Sequence, residues 1–171
     1  MLNFIKIIFV TVSLIILNTN VFAQTDLVKR EFRYLSVSDP QRYGLTFIEH
    51  EDGRIQYIVN NHTGSLAIDC SVAGKYLCLD SKIFTYVYYL DENRTRWTYK
   101  GIDYSREYID EISFLGQSFS NIEKISFKQS DTEFTFFVAK EIGVFLINVK
   151  YSDNVNYGLI LSEKYGLFSN K

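Results

Sequence analysis

His50 and His62 are the only side chains here whose ordinary pKa lies near neutrality, so acid–base chemistry at neutral pH would fall first to them. They flank a predicted hairpin, Tyr43 to Glu51 and Arg54 to Asn60, turning at Asp52-Gly53, a pair that accepts the positive φ angles of a type I′ turn. Pairing about that turn sets residue 50 opposite residue 55 and leaves residue 62 beyond the far end. The two imidazoles are therefore expected apart. His50-Glu51-Asp52 clusters three ionisable groups, but neighbours on a strand point to opposite faces, which reads as a solvated strand end rather than a metal or acid–base centre.

Other chemical signatures fail in the same way. There is no His-x-x-x-His, no Asp-x-Asp-x-Asp-Gly and no Gly-x-Ser-x-Gly. Glu107, Asp110, Glu111 and Glu133 are the candidates for paired carboxylates, yet 107, 110 and 111 share one face of a helix and read as its solvated side. The expectation is a non-catalytic protein with no metal and no cofactor.

Cys70 and Cys78 enclose Ser71 to Leu77, with Ala73-Gly74 where a turn needs a flexible backbone, and the spacing predicts a disulfide across a short hairpin. Such a ring is worth about 2 to 3 kcal/mol. A bridge suits an exported protein, and residues 1–23 read as a secretory signal peptide: Lys6, an apolar run from Ile7 to Leu17, and Val21-Phe22-Ala23 before Gln24. The apolar run falls short of the roughly 20 residues a membrane helix needs, so no stable span is expected after cleavage. Residues 24–171 are then one domain, secreted or periplasmic. Asn61-His62-Thr63 and Asn93-Arg94-Thr95 are sequons in predicted turns, and carry sugar only where the host glycosylates exported proteins.

Charge excludes further classes. Loss of Lys6 takes the formal charge from −2 to −3, too balanced for electrostatic capture of nucleic acid or a membrane surface. Aromatic content is the outlier, with 13 Tyr, 14 Phe and one Trp against a single Pro. These residues favour half-buried pleated surfaces. Rigid rings also grip sugars, lipids and proteins, and Tyr86, Tyr88, Trp97 and Tyr99, alternating along two arms of one hairpin, are the candidate ligand-binding face.

Period-two alternation supplies the elements that would carry such a face. After the hairpin at 43–60, strands are predicted over 65–70, 75–80, 84–90 and 95–100, the last two joined by a turn at Asp91 to Arg94. Strands near 122–128, 132–139, 143–151, 155–162 and 165–168 follow, with hairpin-length gaps. Phe134, Phe136, Val138, Phe145, Ile147, Val149, Tyr157, Leu159 and Leu161 would share one inward face. Between the two groups Tyr108, Ile109, Ile112 and Leu115 recur at helical spacing, predicting a helix over 104–114. A second helix is placed over Asp26 to Leu35, with the strand phase of Phe32, Tyr34 and Ser36 as its alternative. Tyr-Gly-Leu occurs at 43–45, 157–159 and 165–167, too irregularly for a repeat.

The predicted fold is mainly β: an antiparallel up-and-down meander of about ten short strands, curled into a sheet or barrel, with a two-sheet sandwich as alternative. Most runs are shorter than the roughly 9 to 11 residues of an outer-membrane strand and have polar outer faces. The expected function is binding of an apolar small molecule or saccharide, in a barrel cavity or on an aromatic face. The alternative is an envelope interaction factor, inhibitor or effector that recognises a protein partner.

Overall fold

The computed structural model describes residues 27–41, 43–52, 54–59, 62–66, 76–80, 85–153 and 155–169. The signal-peptide reading, Cys70 and the Asn61 sequon lie outside the described residues. Among the described residues every regular element is a strand: β1 (Val28–Ser36), β2 (Gly44–His50), β3 (Ile55–Val59), β4 (His62–Leu66), β5 (Tyr76–Asp80), β6 (Thr85–Tyr89), β7 (Arg96–Tyr99), β8 (Ile102–Phe114), β9 (Gln117–Gln129), β10 (Thr132–Ala139), β11 (Gly143–Lys150) and β12 (Asn156–Leu161). All pairings are antiparallel, and ten strands form one sheet in the order β4-β3-β2-β1-β12-β11-β10-β9-β8-β7, while β5 and β6 form a separate pair. The last strand therefore returns to the first, through Tyr34 opposite Leu161 and Ser36 opposite Leu159. Consecutive strands pair everywhere except on either side of the β5–β6 hairpin, which leaves the sheet.

That hairpin fills the concave side of the curl. Tyr86 stacks on Phe136 at 4.2 Å and on Phe168 at 5.7 Å, and Leu79 and Val87 are fully buried. Inward side chains of β8 hold its backbone: the Tyr104 hydroxyl donates to the Thr85 carbonyl at 2.6 Å, and the Arg106 guanidinium donates to the Tyr89 carbonyl. Gln129 Oε1 accepts from the Thr85 amide at 2.8 Å. Cys78 is buried in this core, and no free cysteine stands among the described residues. The geometry of the expected bridge to Cys70 falls outside them.

Both predicted helices are replaced by strands. Residues 104–114 belong to β8, and the N-terminal segment is β1, in the Phe32–Tyr34–Ser36 phase, all three of them buried. The apparent helical period arises because the β8–β9 hairpin changes faces part-way along. Asn121 sits at φ 53°, in the left-handed region, and beyond it the alternation reverses phase. Ile125 and Phe127 face the concave core, whereas Phe119 joins Ile122 in a second apolar cluster with Phe145 and Leu146. Ile109 and Ile112 pack on that second cluster, so a three-residue spacing marks a turned strand instead of a helical face.

A second phase change corrects the expected inward set. Val138 pairs with Val144 but Phe137 pairs with Leu146, so Phe145 is the extra residue of a bulge. Val144 and Ile147 remain in the concave core, and Phe145 turns outward to stack on Phe119 at 4.2 Å. The strand expected at 165–168 is an irregular segment that closes one end of the curl. The Val144 amide donates to the Leu167 carbonyl at 2.8 Å, and the Tyr34 hydroxyl donates to the Val144 carbonyl at 2.8 Å while accepting from the Leu167 amide at 3.1 Å. A Cβ on Gly166 would overlap the Val144 carbonyl oxygen, so this close approach requires glycine. No helix long and apolar enough to cross a membrane occurs among the described residues.

Candidate functional site

A cavity of about 610 Å³ lies at the end of the curl opposite the Tyr165–Phe168 closure. Leu45 on β2 faces Val59 on β3, and Phe134, Val149 and Tyr157 follow one another across β10, β11 and β12. Leu45, Val59, Phe134, Val149 and Leu159 give the cavity an apolar lining drawn from five strands, β2, β3, β10, β11 and β12. The volume falls within the roughly 300 to 1,000 Å³ of small-molecule sites.

Tyrosines form the rim. Tyr43 meets Tyr157 edge-on at 6.2 Å, and Tyr157 meets Tyr151 at 5.9 Å and 89°. Edge-to-face contact of this kind sets the positive edge of one ring against the negative face of the next. Tyr57 completes the lining, and its ring lies so close over Gly64, its partner across β3 and β4, that a Cβ there would overlap the ring. Gly64 thus fixes where Tyr57 stands. The rim's carboxylate, Asp153, is engaged in its own turn, accepting from the Val155 amide at 3.2 Å.

Two of the three Tyr-Gly-Leu segments meet here. Tyr43-Gly44-Leu45 leads into β2 and Tyr157-Gly158-Leu159 lies on β12, the two strands that flank β1, and the Tyr and Leu of each line the cavity. That shared tripeptide was the available signal for a site at this end. Spacing alone did not reveal it, because the residues between the copies fold away through nine other strands.

The sequence-predicted ligand residues lie elsewhere. Tyr86, Trp97 and Tyr99 are 0%, 5% and 7% exposed in the packed core, and Tyr88 is half-buried. Trp97 stacks on Tyr104 at 5.5 Å with nearly parallel planes. The structure does bring Tyr88 and Trp97 together, on the Arg106 guanidinium, which sits 5.0 Å and 5.3 Å from their ring centres. Arg106 Nε pairs with Glu123 Oε2 at 3.1 Å, and the Tyr88 hydroxyl donates to Glu123 Oε1 at 3.2 Å. Burial, and secondarily the Glu123 charge, pushes the Tyr88 phenol up, and burial does the same to Tyr86. The Nε–Oε2 contact is an ion pair without hydrogen-bond geometry, so this buried network is charge-paired but incompletely hydrogen-bonded.

Of the two histidines, His50 is buried at the end of β2, with neither ring nitrogen hydrogen-bonded, and the side chain of His62 lies outside the described residues. Among the described residues there is no group of three or more His, Cys, Asp or Glu placed to hold a metal ion. No protein-family model, curated protein or solved structure matches the chain.

Proposed function

We propose that this chain is an exported, non-catalytic binding protein that takes a small apolar molecule into the tyrosine-rimmed cavity. The observation that carries the reading is the composition of the cavity: Leu45, Val59, Phe134, Val149, Val155 and Leu159 share its lining with the rings of Tyr43, Tyr57, Tyr151 and Tyr157. Removing an apolar ligand from water supplies roughly 25 cal/mol per Å² buried, and the rigid rings lose little entropy on binding. A ligand with a largely apolar body matches this lining.

Titration with the neutral fluorescent probe N-phenyl-1-naphthylamine tests the reading. One probe per folded chain is expected, with binding abolished by Leu159→Trp, which fills the floor at a stability cost of about 1 to 3 kcal/mol. A folded Leu159→Trp protein that binds the probe as tightly as the parent would overturn the assignment. So would a parent that ignores the probe.

A further inference from the structure

We propose a second, independent site: the cleft beneath the β8–β9 arm binds a small organic cation, an ammonium group carried on an apolar body. The cleft encloses about 770 Å³ and arises from the same turn at Asn121 that misled the periodicity. Beside Asn121 the cleft is lined by Ile109, Phe119, Ile122, Ala139 and Ile142, with Ile109 and Ile122 paired across β8 and β9. One wall is therefore apolar, an extension of the second hydrophobic cluster.

The other wall is acidic. Glu92, Asp110, Glu123 and Glu141 line the cleft, and Lys140 is its basic residue. Glu123 is neutralised by Arg106, and Glu92 stands 3.9 Å from Lys140. Asp110 and Glu141 have no ion-pair partner among the described residues. Tyr108 stands at the same opening, half exposed, its hydroxyl held by the Glu92 carbonyl so that the ring is fixed as a wall. An aromatic face and two uncompensated carboxylates beside an apolar surface form a receptor for a cation with a hydrocarbon body. An anion would meet like charge, and an uncharged ligand would leave the acidic wall unused. This cleft and the tyrosine-rimmed cavity share no lining residue.

Saturation-transfer NMR on the folded chain, with n-hexylammonium, n-hexanol and hexanoate as probes, tests the proposal. The ammonium should bind more tightly than the alcohol and hexanoate should not bind. Ammonium binding should weaken with salt, and Asp110→Asn combined with Glu141→Gln should weaken it at least about threefold, the scale of two partly screened ion pairs. Leu159→Trp, which fills the other cavity, should leave it unchanged. Equal affinity for ammonium and alcohol, full retention in the double carboxylate variant, or loss in Leu159→Trp would each overturn the proposal.

Discussion

Tyr34 and Tyr86 are both fully buried, and replacing each with phenylalanine removes the same single atom from two different circumstances. The Tyr34 hydroxyl ties the closing segment to the sheet, donating to the Val144 carbonyl and accepting from the Leu167 amide. Tyr34→Phe orphans a buried acceptor and a buried donor, each costing about 1 to 3 kcal/mol, and should destabilise the protein by about 2 kcal/mol or more. The Tyr86 hydroxyl has no hydrogen-bond partner among the described residues, and its ring is held by stacking on Phe136 and Phe168. Tyr86→Phe loses no bond and relieves an unpaired polar group, so it should lie between neutral and about 2 kcal/mol more stable. Urea unfolding reads both at an unchanged slope: the Tyr34→Phe midpoint falls, and the Tyr86→Phe midpoint holds or rises. A loss above about 1 kcal/mol in Tyr86→Phe would refute the assignment of its hydroxyl as unpaired. A harmless Tyr34→Phe would refute the latch.

Two further expectations concern the same core. Trp97→Ala should cost about 3 to 5 kcal/mol by emptying a stacked, buried site, while Arg96→Ala on the exposed face of β7 should cost under about 0.5; equal small effects would place the indole outside the core. Burial raises the phenols of Tyr34, Tyr86, Tyr88 and Tyr104. A raised folded-state value means that their stabilisation is complete below the unfolded value of about 10 and is lost as pH climbs beyond it. Phenolate absorbance on raising pH should therefore show these four rings ionising only together with unfolding. Ionisation of all 13 tyrosines near pH 10 in a protein with native circular dichroism would contradict the buried placement.

The local hairpins were legible because each depends on residues close in sequence. Thr132–Ala139 begins and ends where alternation placed it, whereas the hairpin expected about Asp91 to Arg94 does not form: the chain turns there, with the Asn93 amide donating to Asp91 Oδ1 at 3.0 Å, but β6 pairs with β5 and β7 with β8. What escaped were the places where a strand changes face. At Asn121 and at Phe145 one residue reverses the phase of everything beyond it, so an unbroken period-two count assigns later side chains to the wrong side. The candidate face of Tyr86, Tyr88, Trp97 and Tyr99 packs into the interior for a related reason. The alternation of Tyr86, Tyr88, Trp97 and Tyr99 correctly marks an inward surface, but the hairpin that carries Tyr86 and Tyr88 leaves the main sheet and plugs the curl, turning those rings into core. The open end is instead built by β2, β3, β10, β11 and β12, joined only once β12 pairs with β1. No local pattern encodes that return.

The central claim is that the open end of the curl is a ligand site. Methyl-resolved NMR of the folded chain, titrated with N-phenyl-1-naphthylamine, tests it most directly, because Leu45, Val59, Val149 and Leu159 line the cavity whereas Val87 and Ile125 lie in the packed core. Saturable shifts are expected at the first four, with Val87 and Ile125 unmoved. Shifts centred on Val87 and Ile125, or no shift at the four cavity methyls while the probe binds, would contradict it.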